Sequence, residues 1–278
     1  MRAGRVVAGS RGSPLALAQA GEVVRHIETH HPEITVEVLV VKTLGDSGAG
    51  APAIGSFTAE LERALAGGRC DLAVHSAKDL PSRLAAGLLI AACPPREDAG
   101  DALFSPSGDL AALPTRARVG TSSPRRAAQL LRMRDDLEIV PIRGNVETRL
   151  EKVRRGDFDA VVVALAGLRR LGIDLEGVHL LRWMLPAPGQ GALIVEAREG
   201  DRAGTLVAGL DHPPTRAAVL AERALLARLD AGCELPLGAR TQCDGTHLSL
   251  EAAVFSPDGR REVRAAAEGR AGDPEALG

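Results

Sequence analysis

Short apolar runs alternate with segments of helical periodicity along most of the chain. A run bounded by turn residues is typical of a buried strand, whereas apolar positions three and four residues apart are typical of an amphipathic helix. This alternation predicts an α/β fold with largely parallel sheets. The predicted strands are Arg5–Ala8, Thr35–Val41, Asp71–His75, Leu88–Ala92, Ala117–Gly120, Leu137–Val140, Asp159–Ala164 and Ala192–Glu196. The predicted helices are Pro14–Glu28, Phe57–Ala66, Pro124–Met133, Val146–Arg155 and Thr215–Leu229.

Two segments are echoed later in the chain, which indicates two related domains. Gly9–Pro14 resembles Gly120–Pro124, since both place a Ser-Pro helix start directly after a strand. Gly68–Val74 resembles Gly156–Val162, since each follows a helix and opens a buried strand. The echoes predict two doubly wound lobes that each aim a helix N-terminus at a cleft, an architecture that resembles the type II periplasmic-binding-protein fold.

Segments rich in proline and glycine mark the domain boundaries. Pro94–Gly100 is predicted to cross from the first lobe to the second, and Leu185–Gly191 to cross back. After Asp211 one long helix precedes strands that alternate around a Ser256–Gly259 turn, which predicts a small α+β domain with an antiparallel sheet. The predicted domains are lobe 1 (1–95 and 191–210), lobe 2 (96–190) and a C-terminal domain (211–278).

Composition argues against several classes of function. The net charge is −2 and aromatic residues make up 2% of the chain, so we expect neither a surface that binds a polyanion such as nucleic acid nor a platform for base stacking. No apolar run reaches the length of a membrane span, and the chain enters a strand pattern at once, without a signal peptide. We therefore expect a cytoplasmic protein with no nucleic-acid or membrane partner. The spacing of the four cysteines does not predict a metal site, and no structural disulfide is expected in a reducing compartment. They are Cys70, Cys93, Cys233 and Cys243.

The helix start at Gly120–Arg126 carries an electrostatic anomaly. Ser122 or Ser123 can cap the helix, and Pro124 fits its first turn. Two arginines, Arg125 and Arg126, follow at the end where the helix dipole disfavours cations. Free backbone N–H groups, serines and guanidinium groups together predict an anion site. The alternative is a solvated helix start whose arginines point outward.

A second basic set follows the same arrangement. Arg143 ends a strand, Asn145 can cap the next helix, and Arg149 lies in its first turns. With Arg11 and Arg170, strand-end arginines are predicted to converge on one cleft, where they suit carboxylates or phosphates. Because no phosphate-binding loop is present, the sequence predicts a substrate that bears several carboxylates.

Asp79 follows a buried strand and stands beside Lys78. Ligands of open α/β sheets bind at the carboxyl ends of strands, where an ionised acid can face a developing cation. The alternative is a turn aspartate before a proline. His75 is assigned to the core rather than to the site.

Cys233 lies in a Gly- and Pro-flanked loop after the long C-terminal helix. It is either an incidental buried cysteine or an accessible thiol that anchors something covalently.

Taken together, these segments closely resemble the hydroxymethylbilane synthase (porphobilinogen deaminase) family. They occur in the family's order over most of the chain, and their combination is specific to it. The matching segments are Ser10–Ala16, His75–Pro81, Arg96–Asp98, Gly120–Arg126, Arg143–Asn145, Pro188–Ala192 and Gly232–Pro236.

The resemblance implies a function. The family condenses four porphobilinogen units, with loss of ammonia at each addition, onto a dipyrromethane cofactor, and then releases the linear tetrapyrrole by hydrolysis. By similarity, Cys233 would hold that cofactor as a thioether, and Asp79 would assist proton transfer and stabilise the azafulvene cation. Lys78, Ser123, Arg125 and Arg126 would contact the cofactor with Asp79. The substrate and growing chain would be bound by Arg11, Ser13, Gln19, Arg143, Arg149 and Arg170.

One segment departs from the family pattern. Ile54–Glu62, which resembles a lid over the cleft, has no lysine where the family has them. The alternatives to an enzyme are a non-catalytic two-lobed binding protein for a polycarboxylate and the effector domain of a transcription regulator. Cys233 argues against a simple binder, and no helix-turn-helix pattern is evident. A monomer is expected.

Overall fold

The computed structural model describes residues 4–42, 58–230 and 235–278. Within these ranges the chain forms two five-stranded sheets and one three-stranded sheet. The strands are β1 (Arg5–Ser10), β2 (Thr35–Val40), β3 (Leu72–Ser76), β4 (Leu88–Ala92), β5 (Asp101–Phe104), β6 (Arg118–Gly120), β7 (Glu138–Val140), β8 (Ala160–Ala164), β9 (Val178–Leu180), β10 (Leu193–Arg198), β11 (Leu237–Asp244), β12 (His247–Phe255) and β13 (Glu262–Arg270). The helices are α1 (Pro14–His30), α2 (Ala59–Ala66), α3 (Pro124–Met133), α4 (Val146–Arg154), α5 (Leu165–Arg170), α6 (Ala203–Leu206), α7 (Pro213–Arg228) and α8 (Pro274–Leu277).

The two large sheets share one strand arrangement. Their orders are β2-β1-β3-β10-β4 and β7-β6-β8-β5-β9. In each sheet three strands pair in parallel, and the strand that follows a crossing then inserts antiparallel to both of its neighbours. The predicted α/β class with a C-terminal antiparallel sheet is confirmed. As expected, the sheets are largely parallel, with one exception in each: β10 and β5 enter from the opposite lobe and run against the other four strands.

Helices α1, α3 and α4 begin at side-chain caps, and two of these caps, Ser123 and Asn145, were predicted. The Ser13 hydroxyl accepts from the Ala16 N–H at 3.2 Å at the start of α1. Ser123 is the N-cap of α3, and the Asn145 side chain accepts from the Thr148 N–H at 2.9 Å at the start of α4. These side chains satisfy backbone donors that the first helical turn leaves unpaired. Each helix therefore starts at a defined residue directly after a strand.

Separate apolar cores support the three sheets. The first lobe buries Val6, Ile27 and Leu72 between its sheet and α1, and the second buries Leu103 and Leu130. Burying one such side chain contributes about 1.5–3 kcal/mol. The C-terminal sheet is also attached to the second lobe through a cluster of Ala128, Leu185, Ala253 and Phe255.

The two crossings and the C-terminal domain meet at Glu222 of α7, whose side chain is fully buried. Arg96 of the first crossing donates to both Glu222 carboxylate oxygens, at 2.8 and 3.1 Å. The Gly189 N–H of the second crossing and the Thr241 N–H of β11 donate to the same carboxylate, at 2.5 and 3.1 Å. One side chain therefore joins both inter-lobe segments to the third sheet. None of the helices in the described ranges has the length and apolarity needed to span a bilayer.

Candidate functional site

The carboxyl ends of β1 and β3 bring Arg11 and Asp79 together. These strands are adjacent and parallel, and a short 3-10 turn, Ala77–Asp79, continues from β3. An Arg11 guanidinium nitrogen lies 3.7 Å from an Asp79 carboxylate oxygen, and both side chains are partly exposed. The predicted acid is thus placed at a sheet edge, next to a cation and open to a ligand.

Arg125 and Arg126 are directed inward at Asp101, the first residue of β5. Arg125 donates to one carboxylate oxygen at 2.7 Å, and Arg126 donates to the other through Nε and Nη2, at 2.9 and 2.7 Å. The two arginines are only 4% and 7% exposed. The alternative of a solvated helix start is therefore wrong.

The same contacts show that the predicted anion site already contains an anionic side chain. Asp101 supplies these arginines with a partner from within the protein. Two guanidinium groups still face one carboxylate, so the cluster keeps an excess positive charge. The Arg125 Nε atom is buried and has no hydrogen-bond acceptor among the described residues. The Asp101 carboxylate therefore holds both arginines in place but does not use all of their hydrogen-bond donors.

The pKa values of Asp101 and Lys78 in this cluster are both lowered, for different reasons. Burial raises the pKa of Asp101, but the Arg125 and Arg126 guanidinium groups outweigh it and hold that pKa well below its ordinary value. Burial lowers the pKa of Lys78 to about 8, against the stabilising charge of Asp79 and with the repulsion of Arg126. Lys78 is therefore close enough to the charged groups of both lobes for its pKa to rise when an anion binds nearby.

Arg149 belongs to the same basic region. Burial and then the charge of Arg126 lower its pKa, and its Nε donates to the Gly144 carbonyl at 2.8 Å. Arg143 is exposed three residues beyond the end of β7, rather than at the strand end that was predicted, and its carbonyl accepts from Lys152 at 3.1 Å. The Ser123 hydroxyl is engaged as the cap of α3.

Gln19 and Ser13 hold the frame of the site. Gln19 is buried on α1, and its amide donates to the Ser76 hydroxyl at 2.8 Å. Because Ser76 ends β3, this bond fixes the strand just before Lys78 and Asp79. The Ser13 hydroxyl is engaged as the cap of α1, next to Arg11.

The Arg170 side chain is already bound by other groups of the protein. Its Nε donates to Glu22 of α1 at 3.1 Å, and its Nη2 donates to the Gly191 carbonyl at 3.0 Å. The side chain is 7% exposed. Arg170 therefore joins the second lobe to the first lobe and to the second crossing, and a bound carboxylate would have to compete with Glu22.

Sequence reasoning missed Asp101 and Gln190. The Gln190 side-chain amide donates to an Asp101 oxygen at 3.0 Å and to the Ala99 carbonyl at 2.7 Å. The available signal was an acidic residue at the entry to an otherwise apolar strand, where a charge needs a partner.

His75 was correctly kept in the core, where its Nε2 lies 2.8 Å from a Glu196 oxygen. Cys233 and the segment 54–57 lie outside the described residues.

Comparison with known proteins gives one consistent result. The family model "Porphobilinogen deaminase, dipyromethane cofactor binding domain" matches residues 6–205, and "Porphobilinogen deaminase, C-terminal domain" matches residues 216–278. Curated porphobilinogen deaminases of Roseiflexus sp. strain RS-1 and Moorella thermoacetica are 48% and 49% identical. These alignments cover 98% and 97% of this chain, and 93% and 89% of the relatives.

Similar solved structures include a methionine-binding lipoprotein from Bacillus subtilis, with a TM-score of 0.46 and 14% identity, covering 74% of this chain and 90% of that one. The periplasmic aliphatic sulphonate binding protein SsuA from Escherichia coli has a TM-score of 0.42 and 18% identity, covering 82% and 71%.

Proposed function

The chain belongs to the porphobilinogen deaminase family, and from this premise we propose which of its residues carry the hydroxymethylbilane synthase reaction. An enzyme of this family is a transferase of tetrapyrrole biosynthesis that uses a dipyrromethane cofactor and porphobilinogen. Each addition breaks the carbon–nitrogen bond of the substrate's aminomethyl group and forms a carbon–carbon bond to the acceptor pyrrole. The acceptor carbon gives up its proton, and the nitrogen leaves as ammonia.

The excess positive charge around Asp101 carries the proposal. Pyrroles of this pathway bear acetate and propionate groups, and guanidinium groups bind carboxylates through paired hydrogen bonds. Arg125, Arg126 and Lys78 lie together at the start of α3 and the end of β3, and the buried Arg125 Nε donor has no acceptor among the described residues. These residues fit a polycarboxylate cofactor. When bound, the dipyrromethane supplies the free pyrrole position to which the first unit is added.

Asp79 is proposed to act on the reacting groups. Its carboxylate is partly exposed beside Arg11, so it can face the pyrrole nitrogens and the cation that forms when ammonia leaves. It can also accept or return a proton at the carboxylate oxygens. Arg11, Ser13, Gln19, Arg143 and Arg149 are proposed to hold the carboxylates of substrate and growing chain directly or through the helix starts. Arg170 joins them once a ligand carboxylate competes with Glu22.

Cys233 is proposed to attach the cofactor through a thioether, within the C-terminal domain of residues 211–278. Asp79 then belongs to lobe 1 (1–95 and 191–210), and most of the arginines belong to lobe 2 (96–190). The monomeric state, the cytoplasmic location and the absence of nucleic-acid or membrane partners stay predictions.

The test is the intact mass of protein produced in cells that make porphobilinogen. We expect an adduct of two pyrrole units on the wild type, located by peptide mapping on the Cys233 peptide. Cys233→Ser should carry no adduct, whereas Cys243→Ser, the matched control in β11, should keep it. An unmodified wild-type mass would leave the alternative of a non-catalytic binding protein for a polycarboxylate. An adduct on another cysteine would overturn only the assignment of Cys233.

A further inference from the structure

Asp101 is a fully buried carboxylate at the point where the first crossing enters the second lobe. It accepts three hydrogen bonds from Arg125 and Arg126 and one from the side chain of Gln190. The arginine side chains also donate to main-chain carbonyls, at 2.6 Å from Arg125 to Leu185 and at 2.9 Å from Arg126 to Val162. Each guanidinium group is therefore held from two sides.

Gln190 connects this cluster to both crossings. It lies in the second crossing, and its amide donates to Asp101 and to the Ala99 carbonyl at the end of the first crossing. The Arg96 side chain in turn donates to the Gln190 carbonyl at 2.8 Å. The arginine pair and the two inter-lobe segments thus form one hydrogen-bonded unit.

We propose that Asp101 is a positioning residue for the cofactor: with Gln190 it fixes the guanidinium groups of Arg125 and Arg126 in the geometry that accepts the dipyrromethane carboxylates. This inference rests on the proposed function of the Arg125–Arg126 pair. Two adjacent arginines without a counter-charge repel each other, and their long side chains have many rotamers. The buried Asp101 carboxylate balances this repulsion and fixes the rotamers before a ligand binds. Binding then costs less side-chain conformational entropy.

A matched control exists at the other end of the same helix. Arg134, which caps the C-terminus of α3, donates to both oxygens of Asp136 at 2.9 and 2.6 Å. Asp136→Asn therefore removes an aspartate charge from a two-bond arginine pair in the same lobe, far from the helix start that faces the cleft.

The experiment compares wild type, Asp101→Asn and Asp136→Asn as folded protein isolated by size-exclusion chromatography. The readouts are the fraction carrying the two-pyrrole adduct by intact mass, the rate at which cofactor-free protein acquires it from porphobilinogen, and the unfolding temperature. We expect Asp101→Asn to acquire the adduct at least about tenfold more slowly, since hydrogen bonds to charged groups are the strong ones. Asp136→Asn should acquire it at the wild-type rate whatever its unfolding temperature.

A wild-type rate in folded Asp101→Asn would overturn the inference and leave the proposed function intact, because the wild type would still carry its adduct. A wild type without any adduct would instead remove the proposed function. If Asp101→Asn does not fold, Gln190→Met decides, since it keeps the carboxylate–arginine pairs and removes the bonds of the Gln190 amide to Asp101 and to the Ala99 carbonyl. Slower acquisition by Gln190→Met supports the inference, and an unchanged rate overturns it.

Discussion

The Arg11 guanidinium group lies 3.7 Å from the Asp79 carboxylate, at the carboxyl ends of two adjacent parallel strands. At this separation the two groups form no tight pair that would occupy both carboxylate oxygens. Asp79 is therefore held in place and still open to a ligand. Its neighbour Lys78 has a pKa that burial lowers to about 8, and Lys78 also feels the charges of Arg126 and Asp101. Asp79 is therefore next to the basic cluster.

Asp79→Asn should lower turnover by about 100-fold or more, because the amide keeps the shape of the carboxylate but cannot accept a proton or balance a developing cation. Porphobilinogen consumption measures the loss, and the unfolding temperature should stay close to that of the wild type. Asp135→Asn, an exposed aspartate of the second lobe, is the control and should keep full turnover. Wild-type rates in Asp79→Asn would remove Asp79 from the mechanism.

Gly191→Ala should prevent the second crossing from packing against the first. Gly191 has φ +85°, and a Cβ there would clash with the Glu97 carbonyl oxygen. Gly172→Ala is the matched control, since Gly172 also has positive φ (+63°) but open space around it. The control should lose about 1–2 kcal/mol of unfolding free energy from backbone strain alone.

We expect a clearly larger loss, or insoluble protein, for Gly191→Ala, and thermal and urea unfolding provide the measurement. Equal losses in the two variants would show that the crossings do not need this close approach.

Glu62→Gln should change how stability depends on pH. Burial, and then the charge of Glu196, raise the pKa of Glu62 above its ordinary value of 4.5. The folded state then holds more protons than the unfolded state between the two pKa values, so stability is greatest at low pH and falls as pH rises through the folded pKa. Glutamine has no such penalty. The variant should unfold at a higher temperature than the wild type at neutral pH, and this advantage should vanish as pH falls toward 4.5.

Glu28→Gln, at an exposed position of α1, should show no such pH-dependent difference. Unfolding curves collected between pH 4.5 and neutrality separate the two cases. An advantage of Glu62→Gln that stays constant over this range would contradict a titrating Glu62.

Features encoded by neighbouring residues could be predicted from the sequence. Pro124–Met133 was predicted with its observed bounds, because the cap at Ser123 and the proline in the first turn are local signals. Leu88–Ala92 was likewise predicted correctly from one apolar run. Asp79 and Arg11 were each predicted to follow the carboxyl end of a strand, and parallel strands end at a shared edge of a sheet.

Features that depend on tertiary pairing could not be predicted in the same way. The strand β5 has four residues and begins with Asp101. Its apolar pattern is therefore too short, and too polar at its first residue, to be recognised as a strand from the sequence. The partner of that aspartate lies 24 residues away in Arg125, and no local pattern reveals such a pairing. The antiparallel insertion of β10 has the same origin, since the direction of a strand depends on where the preceding crossing leads.

The placement of β10 between β3 and β4 sets the order in which the lobes can be completed during synthesis. The second sheet draws all its strands from one continuous stretch, β5 through β9. The first sheet begins earlier on the ribosome but keeps a gap beside β3 until β10 emerges, about 100 residues after β4. At about 5–20 residues per second that interval lasts roughly 5–20 seconds. The nascent first lobe therefore presents open strand edges while the second lobe finishes, and chaperone capture during translation should concentrate there.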